Sequence, residues 1–226
     1  MKIHYILKEV FLFSYIFVYI LLPPLRQNQA LPETFSSWTF PFFQLILAVV
    51  SIFVLVIEFF PSYIKEKIKI KVTKTDFAQI SSFLISFGLL FTGAAVFNTI
   101  ALLFHIETDV KVTLPATAFM WACCLLQFLA GAVFEENVYR IYLPAVFFKL
   151  KRLLRIPENL LFVSLIELIP ALIFAFSHRY LGYFSVANAF FAHFVLRFCL
   201  KKSDNFTVLY AVHFLYNFIN LIFTAC

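Results

Sequence analysis

Long apolar runs separated by short polar clusters set the pattern of this chain. The runs cover residues 10–25, 40–60, 78–104, 114–134 and on toward 148, 160–177, 180–200 and 206–226. A helix needs about 20 mostly apolar residues to cross the hydrocarbon of a bilayer. The pattern therefore predicts about seven helices, eight at most. Breaks are expected at Pro23-Pro24, at Pro61, across 105–113, at Pro157 and across 201–204. The expected fold class is all-α, a polytopic transmembrane helix bundle. It reads as a single integral-membrane domain over 1–226, with motif-free helices in 1–113 and the candidate chemistry in 114–226. The first run lacks a small-residue cleavage site, so a retained helix is expected there and not a signal peptide.

Composition sharpens this picture. Of 226 residues, 63% are hydrophobic and 13% charged, and the mean hydropathy is +0.93. Soluble domains carry about 25% charged residues, so a soluble enzyme and a disordered chain are both excluded. The net charge of +6 is a question of placement. Fourteen of the eighteen Lys and Arg fall in the N-terminal tail and the even-numbered connections, three on the other side, and Arg140 lies inside the fourth run. The positive-inside rule then puts the N-terminus in the cytoplasm and the C-terminus outside. The basic charge is topological, so no nucleic-acid partner is expected and membrane lipids are. Cys123, Cys124, Cys199 and Cys226 lack metal-site spacing and read as small packing residues.

A few polar residues interrupt the apolar runs where ionisation is costly, about 2.5–3.5 kcal/mol each on insertion scales. Glu135, Glu136 and Arg140 fall within six residues. At i, i+4 spacing Glu136 and Arg140 can pair on one helix face, while Glu135, offset by about 100°, is left for something else. His178 closes an apolar run, and His213 stands in the last run with Asn217 one turn on. That spacing lets His213 and Asn217 present two donors to one point. The bland readings are an interfacial ion cluster and two packed histidines. Glu167 and Glu58 read as residues near span ends, and His193 as one that could line a cavity.

Taken in order, Glu135-Glu136-x-x-x-Arg140, Phe174-x-x-x-His178 and His213-x-x-x-Asn217 resemble the CAAX-protease and bacteriocin-processing family of intramembrane glutamate proteases, which includes the type II CAAX prenyl endopeptidases. The resemblance covers residues 134–218. It implies a metal-independent peptidase without cofactor, in which Glu135 and His178 activate a water and His213 and Asn217 form an oxyanion hole. Glu136, Arg140 and Phe174 would support these residues or bind substrate. The implied partner is a peptide or lipidated protein; Glu135, 14 residues before Lys149, and His213, 8 residues after Asn205, lie at depths that suit a site opening toward the cytoplasm, and the cell inner membrane is the expected location. Ile141 replaces the glycine common after the motif arginine, and the glycine-rich helix between the second and third motifs is reduced to Gly182.

Other readings compete. A zinc ion held by Glu135, His178 and His213 would suit catalytic zinc, although His-Glu-x-x-His is absent. Ser177 beside His178 suggests serine chemistry, yet adjacent helical residues point about 100° apart. A non-catalytic bacteriocin-immunity or peptide-binding protein is the alternative function. A proton-conducting transporter fits less well, because the outer halves of the spans are almost wholly apolar. Depth raises one difficulty: His178 lies 21 residues, about 31 Å of helix, beyond Pro157. An interfacial segment over 157–169, with the span starting at Pro170, would remove it.

Overall fold

The computed structural model describes residues 2–26, 34–35, 39–67, 76–105, 111–157 and 160–225. Among them, α1 (Lys2–Ile16) passes through a π-helical segment (Phe17–Leu21) into α2 (Leu22–Arg26). Then come α3 (Phe42–Lys67), α4 (Asp76–Leu103) and α5 (Ala118–Glu135), which runs through a second π segment (Glu136–Tyr142) into α6 (Leu143–Leu153). The chain closes with α7 (Leu160–Ser177), α8 (Tyr183–Ser203) and α9 (Phe206–Ala225). A two-residue parallel pair, β1 (Thr34–Phe35) with β2 (Lys111–Val112), and a 3-10 turn (Arg179–Leu181) between α7 and α8 complete the described regular structure. With each π segment joining its neighbours, these are seven helices in an all-α bundle.

Four of them are long and apolar enough to cross a membrane: Asp76–Leu103, Ala118–Leu153, Tyr183–Ser203 and Phe206–Phe223. Val10–Arg26, Phe42–Glu58 and Phe162–Ser177 are shorter apolar helices. Large apolar side chains face outward as well as inward. Phe53, Leu84 and Phe119 are each more than 60% exposed, which a bilayer accommodates and water does not.

The break expected at Pro157 falls between α6 and α7, but other prolines lie inside or beside helices that continue. Helix α3 continues past Pro61 to Lys67. Pro23 and Pro24 lie just after the first π segment. A proline ring collides with the carbonyl four residues back, here Tyr19 and Ile20, and both carbonyls belong to the widened turn. Pro170 lies inside α7, which continues through it. Glu167 is bound by Arg197 and Lys201, and His178 follows it by eleven positions, about 16 Å of helix.

Two packed clusters fix the elements around the site. One joins Ile16 and Leu21 of the first helix to Tyr139, Tyr142 and Leu143 and to Phe174 of α7. The other joins Leu90 and Ala94 of α4 to Leu196 and Cys199 of α8 and to Leu209 and Val212 of α9. Close approach of α4 and α8 depends on Gly93, where a Cβ would come within 2.5 Å of the Phe191 ring. Cys123, Cys124 and Cys199 are buried free thiols, while Cys226 lies outside the described residues.

Two tight connections set the later helices. Gly182, at φ 93°, takes a conformation open to glycine and turns the chain from α7 into α8. Asp204, at φ 54°, ends α8 by donating its N–H to Leu200 O. Asn205 Oδ1 then accepts from Thr207 N at 2.8 Å, which starts α9. Glu58 is buried and pairs with Lys149 of α6, so it does not reach out to a lipid surface.

Candidate active site

The site is built on the second π segment. Thr117 caps α5, its hydroxyl accepting from Met120 N at 3.2 Å. From Glu136 the helix widens, and Leu143 N–H bonds Val138 O, five residues back. Such wide turns concentrate at functional sites. Burial here is not one-sided: Glu136, Asn137, Val138, Tyr139 and Arg140 are all buried, enclosed by α3, α7, α8 and α9.

The two carboxylates have different surroundings. Glu136 and Arg140 are both fully buried, with Glu136 Oε1 3.4 Å from Arg140 Nη1. The same Oε1 lies 2.5 Å from His213 Nδ1. A carboxylate only accepts, so this ring nitrogen carries the proton. Glu135 keeps 24% of its side-chain surface and turns Oε2 toward His213 Nε2 at 3.6 Å, an ion-pair separation longer than a hydrogen bond. His213 therefore stands between both carboxylates. Asn217 follows one turn later on α9, half-buried.

His178 is held at the end of α7. Its Nδ1 lies 2.9 Å from Phe174 O, which only accepts, so Nδ1 donates and Nε2 keeps a lone pair. Ser177 Oγ donates to the same carbonyl at 2.7 Å. Phe174 links the first two motifs: its ring lies 3.7 Å beneath the Arg140 guanidinium carbon and stands edge-on to His178 with centroids 4.5 Å apart. Tyr180, stacked on His178 in the turn between α7 and α8, also senses Glu135. Burial, with the Glu135 carboxylate adding to it, pushes the Tyr180 phenol up to about 12.

Several participants escape a motif reading. Asn137 Nδ2 donates to Ser51 Oγ of α3 at 3.0 Å, and Asn137 Oδ1 accepts from Tyr210 Oη at 2.5 Å. This network ties the motif-free N-terminal half to α9, one turn before His213. Asn137 was detectable as a polar residue in an apolar run, whereas Ser51 carries no signal. His193 is fully buried against Phe174 and Phe194 and lines no open cavity. Among the described residues no group of three His, Cys, Asp or Glu is arranged to hold a metal ion.

Residues 116–219 match the family model for type II CAAX prenyl endopeptidases, Rce1-like. The matched segment begins just before α5, ends within α9, and contains all three sequence motifs. The family is one of CAAX-type intramembrane proteases. With its apolar helices the chain is an integral membrane protein, and the family's substrates are peptides or proteins. No curated protein and no solved structure matches the chain.

Proposed function

We propose that this protein is an intramembrane endopeptidase working by a metal-independent glutamate mechanism on a membrane-associated or lipidated, CAAX-like substrate. The observation that carries this reading is the convergence of Glu135, Glu136 and His213, with the more exposed carboxylate facing Nε2 of the imidazole. Peptide hydrolysis needs a base for water, a donor for the oxyanion and a proton for the leaving amine. Glu135 takes the proton from water, which His178 Nε2 helps to orient, and the resulting hydroxide attacks the scissile carbonyl carbon. Asn217 and His213 line the oxyanion hole, Asn217 through its side-chain amide and His213 from the imidazole edge that Glu135 faces. The proton held by Glu135 then passes to the amine as the C–N bond breaks.

Glu136 and Arg140 fix the His213 ring, and Phe174 holds Arg140 and His178 in mutual register. An apolar groove of about 540 Å³ between α4, α7 and α8, lined by Phe97, Leu172, Phe176, Val186, Phe190 and Phe194, supports a substrate bearing a hydrocarbon chain. Its wall includes Ala175, three residues before His178. The basic connections support a cytoplasmic N-terminus in the cell inner membrane and a site opening to the cytoplasm.

The test compares protein termini in membranes from cells making the intact protein and cells making Glu135→Ala. New termini only with the intact protein, still formed in vitro with a chelator, are expected. Identical termini at equal protein abundance would overturn the proteolytic reading. Loss on chelation would overturn metal independence.

A further inference from the structure

In a regular α-helix the carbonyl of Arg140 would accept from the amide of residue 144. That residue is Pro144, which has no N–H and whose ring crowds the carbonyl four residues back. The π segment opens where this conflict falls, and Arg140 O is left without its α-helical donor. Arg197 of α8 supplies one: its Nη1 donates to Arg140 O at 2.7 Å. The rest of the guanidinium is held as a fork, with Nε 2.9 Å from Glu167 Oε2 and Nη2 3.2 Å from Glu167 Oε1. Lys201 Nζ adds a bond to Glu167 Oε1 at 2.8 Å. Arg197 and Glu167 are mostly buried, 15% and 17% exposed at the side chain, so the fork is shielded from competing water.

We infer that Arg197 is a positioning residue for the site: by binding the Arg140 carbonyl it holds the π turn that aims Glu136 at His213 and Arg140 at Glu136. A planar guanidinium suits this task. Its spacing serves a carboxylate with two donors while leaving a third for the carbonyl, which an ammonium on a flexible stem cannot fix as firmly. Glu167 orients the fork from α7, so three elements meet at one arginine. Counting basic residues places Arg197 with the cytoplasmic charges, yet it points into the bundle and does something else. Its effect on turnover rests on the proteolytic reading; its effect on the π turn does not.

The experiment separates the ion pair from the carbonyl bond. Glu167→Gln removes the charge pair but leaves Arg197 able to donate to Arg140 O. Arg197→Met removes both, and Arg197→Lys keeps the charge if the methionine variant fails to fold. Amide hydrogen exchange over residues 136–143 is measured for the full chain in detergent, with kcat and KM on the peptide revealed by the terminus comparison. Losing a hydrogen bond from a charged donor should speed exchange in Arg197→Met by about tenfold or more. The same variant should lower kcat by a similar factor at unchanged KM, with Arg197→Lys intermediate and Glu167→Gln close to the parent. Equal exchange in Glu167→Gln and Arg197→Met would overturn the inference, as would faster exchange with kcat untouched. If the parent cleaves nothing, the proteolytic reading fails, and the exchange comparison still decides whether Arg197 holds the turn.

Discussion

Removing the Glu136 carboxylate should cost more stability than removing it together with Arg140. Both side chains are fully buried, and their charged atoms stand 3.4 Å apart. At that separation, with an effective dielectric constant near 20, the attraction is about 5 kcal/mol. In Glu136→Leu the guanidinium stays buried over Phe174 with its carboxylate gone, and His213 Nδ1 loses its acceptor. Breaking one side of a buried pair costs about 3–5 kcal/mol. For a chain of this size that lowers the melting temperature by about 10 °C. The Glu136→Leu, Arg140→Met double variant removes the orphaned cation and should recover about 1–4 kcal/mol, as replacement of buried pairs by apolar side chains does. The assay is a double-mutant cycle from thermal or denaturant unfolding in detergent, read by circular dichroism. Additive losses, with the double variant as unstable as the two singles combined, would refute the coupling and with it the idea that each charge needs the other.

Replacing a donor of the proposed oxyanion hole, as in Asn217→Ala, should lower kcat by about 10²–10³ with folding unchanged; unaltered turnover would remove Asn217 from the mechanism. Asn137→Ala leaves the Tyr210 hydroxyl and Ser51 without their partner and should cost about 1–3 kcal/mol in unfolding experiments. The Tyr180 phenol is pushed up to about 12 in the folded protein against 10.0 in the unfolded chain. The stability it contributes is complete below pH 10.0 and is lost as pH rises to about 12. Ultraviolet difference titration against Tyr180→Phe should show late ionisation, and Glu135→Gln should bring it earlier; no change would separate the two residues. Gly93→Val drives a side chain into the Phe191 ring and should cost about 1–3 kcal/mol in unfolding, whereas Gly88→Ala, which meets nothing within 4 Å, should not.

The seven apolar runs were legible because membrane insertion is decided locally: a span must be apolar over its own length and satisfy its own backbone. The Glu136–Arg140 pair was legible for the same reason, since i, i+4 neighbours meet within one helix. The sequence also placed three polar patches on three helices in the order of a known motif set. Proline was misleading. Pro61 and Pro170 lie inside continuous helices, and Pro23-Pro24 follow a turn widened to a π segment, whereas Pro157 does fall between α6 and α7.

Tertiary structure alone decided the rest. No spacing along the chain brings His213 between Glu135 and Glu136, some 77 positions away, or seats Phe174 beneath Arg140. Ser51 entered the site from a helix without a motif, and Arg197 changed from a charge that orients the chain into a donor for a carbonyl that Pro144 deprives of its α-helical partner. Local sequence can state which groups lack partners, but the partners come from whichever helix packs alongside. In this protein those partners decide the tautomer of His213, the fork of Arg197 and the placement of the π turn.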